Sequence, residues 1–471
     1  MTSSNALSVS APAPGLEVEL DKPRDGWTTD DVLKLVATRE VRVVSLMHVG
    51  GDGWLKTLDF VPRSEKHLRN IIDGGERADG SSLFPGTGIP PDQSDIVLRP
   101  RASTAFLDPF ASLSTLVLMC HHYGRDGTPL PQSPDTILRR ADERLRDEIG
   151  IDLWALGEVE YFLGKPWQET DIYGAEDRGY HATAPFVFGQ GLRRRALAIL
   201  ADIGVAVKYG HSEVGYIEAK ETQGVIWEQH EIELALRPLP VAAEATLLTQ
   251  WVIRNLAHKN GMRCSTEPMM LEGHAGNGLH FHLTPMQDGD PVEFWQSAEA
   301  LADPARWLIG GLVQLGGALM AFGNRADGSL QRLAQGKEAP NRIVWGNYDR
   351  QALIRLPIVP TDLEGRPVAP PTIEFRLPDG SALPHLLLAG AALAMLRGRD
   401  TDDLDRLLER TAVATLAASE TRAELPRSFA QVAEALERDR GALEVDHVFP
   451  PALIDHQVRR LKAQDLPSLI G

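Results

Sequence analysis

The sequence predicts an α+β protein in two unequal parts, a small sheet domain followed by a larger domain in which strands and helices mix. Three observations carry this. Strand-like segments separated by turn signals dominate residues 41–118, and the first strong helix start comes only at Ser133-Pro134. Beyond it, apolar helical runs alternate with strands whose charged residues recur two apart. The 471 residues suffice for two or three domains, and 43% hydrophobic against 24% charged residues is the balance of a globular chain, not a disordered one.

Taken in order, the opening MTSSNALSVSAPAPGLEVEL lacks the basic start and continuous apolar stretch of a secretory signal. Its Ser, Ala and Pro content reads as a mobile leader over residues 1–15. Next, VRVVSLMHV, WLKTLDFV and TLVLMC read as strands of a compact mixed or antiparallel sheet within residues 16–125. A Gly/Pro-rich loop, DGGERADGSSLFPGTGIPPDQSD, interrupts them, and a loop this long in a compact domain is usually functional. Ser133 followed by proline marks a helix cap, with Ile137, Leu138, Ala141 and Leu145 on one face, which opens the second domain, 126–471. Further helices are predicted at 191–203, 242–260, 304–322, 381–397 and 427–438. The apolar runs at 310–322 and 386–396 fall short of the roughly 20 residues a membrane span needs, so they read as core helices and no membrane partner is expected. The run RDTDDLDRLLER reads as a solvated helix face.

The formal charge of −17, from 65 acidic against 48 basic residues, opposes non-specific binding to nucleic acid, which needs a basic footprint. Two cysteines, Cys120 and Cys264, exclude a disulfide framework and favour a cytoplasmic setting, although one bridge between them remains open.

Phosphate-loop, dinucleotide, HExxH and paired CxxC motifs are all missing from the sequence. The second domain offers instead five strand-like segments with polar pairs two apart: Glu158 and Glu160, His211 and Glu213, Glu231 and Glu233, His280 and His282, Glu374 and Arg376. On a strand such a pair shares one face. Any single pair fits an alternating surface strand, but five charged faces on one sheet would gather carboxylates and imidazoles whose repulsion needs cations, and Mg2+ or Mn2+ suit carboxylate ligands. Arg332, Arg342, Arg350 and Arg355, set among apolar residues, are either structural ion-pair partners or clamps for phosphate and carboxylate oxygens. Residue chemistry alone therefore reaches a metal-dependent, nucleotide-using enzyme.

Eight ordered segments then resemble the glutamine synthetase family: DGSS, GEVEYFL, Gly179-Tyr180, HSEV with EQHEI, GNGLHFHL, RLAQGKEAP, NYDRQALIRLP and TIEFRLPD. The resemblance spans about residues 41–461 and implies an N-terminal β-grasp domain and a catalytic domain with a curved antiparallel sheet. It implies ATP and two to three Mg2+ or Mn2+, with Glu160, Glu213 and Glu231 on one metal and Glu158, His280 and Glu374 on another. Arg350, Arg355 and Arg376 would meet the transferring phosphoryl group, with His282 and Thr284 on the nucleotide side. Arg332 and Gly276 would hold the amino-acid substrate, and Glu338 would close a flap. Asp79, Ser82 and Tyr180 would form the amine site, Asp79 reaching in from a neighbouring subunit of a hexameric ring or a dodecamer. The implied reaction joins glutamate to ammonia through γ-glutamyl phosphate, and the implied setting is the cytoplasm.

The chain also departs from that pattern. Seventeen residues separate Glu213 from Glu231, about ten more than usual, so this insertion either reshapes the acceptor side or forms a hairpin pointing away. Ala275 stands where an asparagine usually holds the substrate amino group, with Asn277 as the candidate replacement. APPT precedes Glu374 where basic residues often meet the nucleotide, and Pro85, Pro90 and Pro91 follow Ser82 where an aromatic residue is usual. A counterpart of the C-terminal tail that locks two rings is not expected after the helix ending RRLKAQ, nor is one of the tyrosine used for adenylylation in ERTAVATLAASETRAELP. These departures support an alternative, ligation of another small amine or polyamine, or of a related acid. A guanidino kinase would need a site cysteine, which neither cysteine supplies, and a catalytically silent relative would not keep six metal ligands.

Overall fold

A computed structural model describes residues 15–169, 179–297, 300–415 and 424–465; the leader expected over 1–15 lies outside them but for Gly15. In the N-terminal part, α1 (Gly15–Leu20) and α2 (Thr29–Thr38) precede β1 (Val43–Val49) and β2 (Leu55–Phe60). Then come α3 (Glu65–Gly74), β3 (Glu76–Asp79), α4 (Gly80–Leu83), β4 (Asp95–Pro100), β5 (Phe106–Leu107) and β6 (Thr115–Tyr123). The strands form one mixed sheet in the order β2-β1-β6-β4-β3, with β5 on β6 and β1 parallel to β6. Leu46, Leu98 and Leu118 from the sheet and Leu35, Leu68 and Ile72 from α2 and α3 share one apolar core.

Two sequence expectations change here. The long loop after residue 72 is not structureless, because its Glu-Arg-Ala-Asp pairs with β4 and Asp79 then caps the short α4 through a bond from Ser81 N to its carboxylate, 3.0 Å. Helices also open the domain, α2 being started by a capping box between Thr28 and Asp31.

The second part begins with α5 (Pro134–Ile149), whose first residue is a proline, and β7 (Asp152–Pro166). There follow α6 (Gln190–Asp202), β8 (Val207–Ile217), β9 (Val225–Leu234), β10 (Arg237–Pro238), α7 (Leu239–Lys259), β11 (Arg263–Ser265), β12 (Leu279–Gln287) and β13 (Asp290–Pro291). The chain continues through α8 (Asp303–Gly323), α9 (Asp327–Gln335), β14 (Arg342–Asn347), β15 (Ala352–Leu356), β16 (Ile373–Phe375), α10 (Pro384–Arg399), α11 (Leu404–Thr411), α12 (Phe429–Leu443) and α13 (Pro451–Gln464). Ten strands form a sheet whose main path is β14-β15-β16-β12-β7-β9-β8, antiparallel except for β14 beside β15. The α+β class with a small sheet before a larger one is thus as predicted, with that one parallel pair as the exception to the antiparallel expectation.

One face of this sheet is apolar and is covered by helices. Leu279, Phe281 and Leu283 of β12, with Val159 and Tyr161 of β7, point into a core shared with α7, α8 and α10. By length and composition α8, at 21 residues, could cross a membrane, but 83% of its apolar window is buried inside the protein, so it is a core helix. It packs on α10 so closely that a Cβ on Gly311 would lie 1.6 Å from the Ala394 carbonyl oxygen, and one on Gly398 would lie 1.8 Å from that of Trp307. Only glycine permits that backbone approach. The other face of the sheet is polar and lines a cavity. Both cysteines are free, so the bridge left open by the sequence does not form.

Candidate active site

Antiparallel pairing sets the polar residues of the five segments opposite one another. Glu158 of β7 faces His280 of β12 on one side and Glu233 of β9 on the other. Glu160 faces Glu231, which faces His211 of β8, while His282 faces Glu374 and Glu374 faces Arg355. Because side chains alternate along each strand, all of these project from one surface, and all of them line a cavity of about 670 Å3.

Strand register groups the ligand atoms differently from the expected pairing of residues. Three sets have donor atoms within 4.8 Å of one another: Glu158, His282 and Glu374; His211, Glu213 and Glu231; Glu158, Glu231 and Glu233. Of the six ligands carried over from the family, Glu160 and His280 fall outside these sets. The Glu160 carboxylate accepts from Gly278 N at 2.8 Å and from Gln229 Nε2 at 3.0 Å. His280 Nδ1 lies 3.0 Å from Glu158 and 3.7 Å from Glu374, while its Nε2 lies 3.2 Å from an Arg332 nitrogen. His211, Glu233 and His282 are gained, His282 from its expected place on the nucleotide side; the sequence shows all three as polar strand residues, but only cross-strand register reveals what they face. Lys208 Nζ lies 2.6 Å from Glu233, placing a cation beside this carboxylate already.

The charge state of the cluster supports cation binding. Burial, with Glu160 next in effect, pushes the Glu213 carboxyl up to about 8. Burial and then Glu158, Glu160, Glu213 and Glu233 hold Glu231 well above the usual carboxylate range. Burial also opposes ionisation of Glu158, yet His282 and His280 outweigh it and hold that carboxyl well below its ordinary value. Glu374 is lowered against burial by Arg376. Carboxylates crowded until some retain protons are a fitting seat for a divalent ion, which would replace those protons and relieve the repulsion.

Arginines close the far end. Arg355 Nη1 donates to Glu374 at 2.7 Å, and Arg376 donates to Glu374, to Glu338 O at 2.6 Å and to Arg350 O at 3.1 Å. Arg350 bonds Glu338 at 3.1 Å, and Glu338 holds a left-handed φ of 52°. Buried Arg332 also donates to Leu377 O at 3.2 Å. Pro357, Ile358, Val359, Pro360 and Pro370 give the cavity an apolar wall next to these cations, close to where the sequence replaces the expected basic residues.

Tyr180, 48% exposed, stands within hydrogen-bonding reach of Arg350, stacks on His181 with centroids 4.3 Å apart and meets His211 edge-on at 5.4 Å. Ala275 and Gly276 complete the lining. Asn277 does not stand in for the asparagine replaced by Ala275. It is fully buried, accepting from Gln229 at 3.1 Å and donating to Glu267 O at 2.8 Å, so it braces the loop from behind. Thr284 is buried too, donating to Pro371 O at 3.0 Å, and lies outside the lining. Asp79 and Ser82 lie on the N-terminal part, exposed and bonded to each other at 2.5 Å, and they do not line this chain's cavity.

The insertion between Glu213 and Glu231 is a hairpin that lengthens β8 and β9, with an irregularity in their pairing between Ser212 and Tyr216. It does not point away. Ile217, Val225 and Trp227 pack with Phe162 against Met270 and Leu271, and Glu221 lies 3.1 Å from His274 Nε2. From the other side Lys337, next to Glu338, donates to Gly273 O at 2.5 Å. The loop that presents Ala275 and Gly276 is thus held between the hairpin and the segment bearing Glu338.

Residues 131–468 match the glutamine synthetase catalytic domain family. A glutamine synthetase of Thermus thermophilus is 30% identical over 449 residues, 90% of this chain and 93% of that protein. One from Methylococcus capsulatus is 30% identical over 489 residues, 94% of this chain and 97% of its own. Among solved structures, the Plasmodium falciparum glutamine synthetase superposes with a TM-score of 0.76 at 20% identity, covering 93% of this chain and 95% of that one. Apo GmaS superposes at 0.68 and 19% identity, covering 92% and 95%. At these identities the structural likenesses speak for the fold.

Proposed function

The chain belongs to the glutamine synthetase family, and from that premise we propose that it joins the side-chain carboxylate of glutamate to ammonia with cleavage of ATP to ADP and phosphate. The observation that carries this reading is the single concave surface on which acidic and imidazole ligands lie beside Arg332, Arg355 and Arg376.

A carboxylate is a poor electrophile. An oxygen of the glutamate side chain therefore attacks the terminal phosphorus of ATP, ADP leaves, and the resulting acyl phosphate carries a good leaving group. Arg355, Arg376 and Arg350 face the charge that builds on the transferring oxygens. Glu158, Glu374, Glu213 and Glu231, with His282, His280, His211, Glu233 or Glu160 completing the sets, would hold divalent metal ions, which neutralise phosphate charge when bound. Ammonia then adds to the acyl carbon and phosphate departs. Ammonium must first lose a proton, a task fitted to the Asp79 carboxylate, whose pKa Ser82 and Ser81 keep low. Since Asp79 is absent from its own chain's cavity, it would serve the cavity of a neighbour in a ring of subunits, formed between residues 16–125 of one and 126–471 of the next. Glu338 and its segment exclude water from the acyl phosphate.

A second reading, ligation of a larger amine, is favoured by the aromatic rim of Tyr180, His181 and His211 and by the small Ala275, which leave apolar surface for an alkyl group. ADP release measured with glutamate fixed and ammonia, methylamine, ethanolamine or a polyamine varied separates the two. Ammonia should exceed the others in kcat/KM by about tenfold or more, equivalent to about 1.4 kcal/mol in the barrier. A preference of less than a few fold transfers the assignment to the larger amine.

A further inference from the structure

A second cavity, of about 580 Å3, lies between the turn joining β1 to β2 and the catalytic part. Three arginines from separate elements line it: Arg254 of α7, Arg325 from the turn between α8 and α9, and Arg460 of α13. Burial lowers the pKa of all three, that of Arg325 to about 10. Among the described residues none forms an ion pair with a carboxylate, and the Arg325 guanidinium donates no hydrogen bond at all. Arg325 Nε and Arg460 Nη2 are buried without a partner. Arg254 donates to Thr266 at 2.9 Å and lies 5.1 Å from the centroid of the Trp54 ring. The remaining Arg460 donors meet only neutral acceptors: Gln457, Gln464 and the Arg325 carbonyl oxygen.

Nearby acids offset this charge only in part, Asp52 and Asp379 acting on Arg325 and Glu267 on Arg254 from a distance. Asp52 is taken by Lys56 at 2.8 Å, and Asp379 is buried and satisfied by Asn324 and Ser381. Glu267 lies exposed at the rim. Three guanidinium groups gathered around one void, none of them directly paired with a carboxylate, pay for desolvation and mutual repulsion, and planar forks of this kind match phosphate and carboxylate oxygens. We propose that this cavity binds a small polyanion through phosphate or carboxylate oxygens, gripped by Arg325 and Arg460, with Arg254 and Trp54 on its outer side. The site is separate from the catalytic cavity and shares none of its lining residues.

The full-length protein, titrated with pyrophosphate and separately with citrate at constant ionic strength balanced with chloride, should show a saturable rise in Tm. The more effective probe identifies whether phosphate or carboxylate is preferred. The midpoint concentration should rise about tenfold or more in Arg325→Gln and in Arg460→Gln, as expected when a charge-assisted contact is lost. It should be unchanged in Arg355→Gln, which alters only the catalytic cavity. Tungstate soaked into wild-type crystals should give an anomalous peak within hydrogen-bonding distance of Arg325 and Arg460. A rise matched by chloride alone, a midpoint unchanged in both variants, or a tungstate-soaked crystal with no peak in this cavity would overturn the proposal. If the variants do not fold, the wild-type tungstate result decides.

Discussion

Glu213 holds a proton at neutral pH in the metal-free protein, because burial and neighbouring carboxylates raise its pKa to about 8. An unfolded chain releases that proton near 4.3, so between these values the folded state binds more protons and stability falls as pH rises. Buried neutral His48 and His122, with pKa values lowered to about 4 and about 3 chiefly by burial, work in the opposite direction below about 6.5. Above pH 6.5 those histidines no longer contribute, and Glu231, raised as well, is present in both wild type and Glu213→Gln, so the comparison is made from pH 6.5 to 8. There, metal-free wild type should lose up to about 2 kcal/mol relative to Glu213→Gln in denaturant melts, and Mn2+ affinity should rise over the same range as the proton is displaced. A flat difference between the two proteins would contradict the charge state assigned to Glu213. At this scale the sequence was legible in its period of two, which puts Glu158 with Glu160 and His280 with His282 on one face. It could not show which residues oppose each other. His211 and Glu233 join the ligand sets through strand register, while Glu160 lies outside them, with Gly278 and Gln229 both donating to one of its oxygens.

Among elements, the hairpin between Ile217 and Val225 carries the clearest prediction. It touches the 271–276 loop through Glu221 and His274 and through apolar packing, and Lys337 grips the same loop from the flap side. Glu221→Ala removes the polar tie without opening the apolar contact. It should raise KM for the amino-acid substrate several fold, through looser placement of Gly276, while Tm moves by less than about 2 °C, as for other exposed pairs. An unchanged KM would mean that packing alone holds the loop. Between α8 and α10 the constraint is steric, so Gly311→Ala, which drives a methyl into the Ala394 carbonyl, should cost about 3 kcal/mol or more in a denaturant melt. The long helices were legible because apolar runs of that length have few other fates, and their predicted ends fall within a few residues of the observed ones. The N-terminal α2 and the strand β3 were not read. The Thr28 and Asp31 capping box was a usable signal for the first, but a four-residue strand inside a Gly-rich loop is defined by its partner β4, which no local pattern reveals.

At the scale of the whole molecule the candidate site is divided, because the catalytic part carries the acidic and arginine lining while Asp79 and Ser82 stand exposed on the N-terminal sheet, outside that lining. Sequence order gives both pieces but not their meeting, which the proposed function assigns to symmetry between subunits. The proposed ring makes this a test by complementation. Asp79→Asn subunits keep an intact cavity but offer a neighbour no base; Glu338→Gln subunits offer the base but have an impaired flap. Each homogeneous protein should be strongly impaired in amide formation. If the two are unfolded and reassembled together in equal amounts, a productive site forms wherever a Glu338→Gln subunit supplies Asp79 to an Asp79→Asn cavity. With random neighbours in a closed ring this occurs at about one site in four, so the mixture should recover about a quarter of wild-type kcat. Recovery must depend on reassembly, since mixing intact oligomers leaves like beside like. If reassembled mixtures show only the average of the two parent activities, Asp79 acts within its own chain or not at all, and the proposed site shared between subunits is wrong.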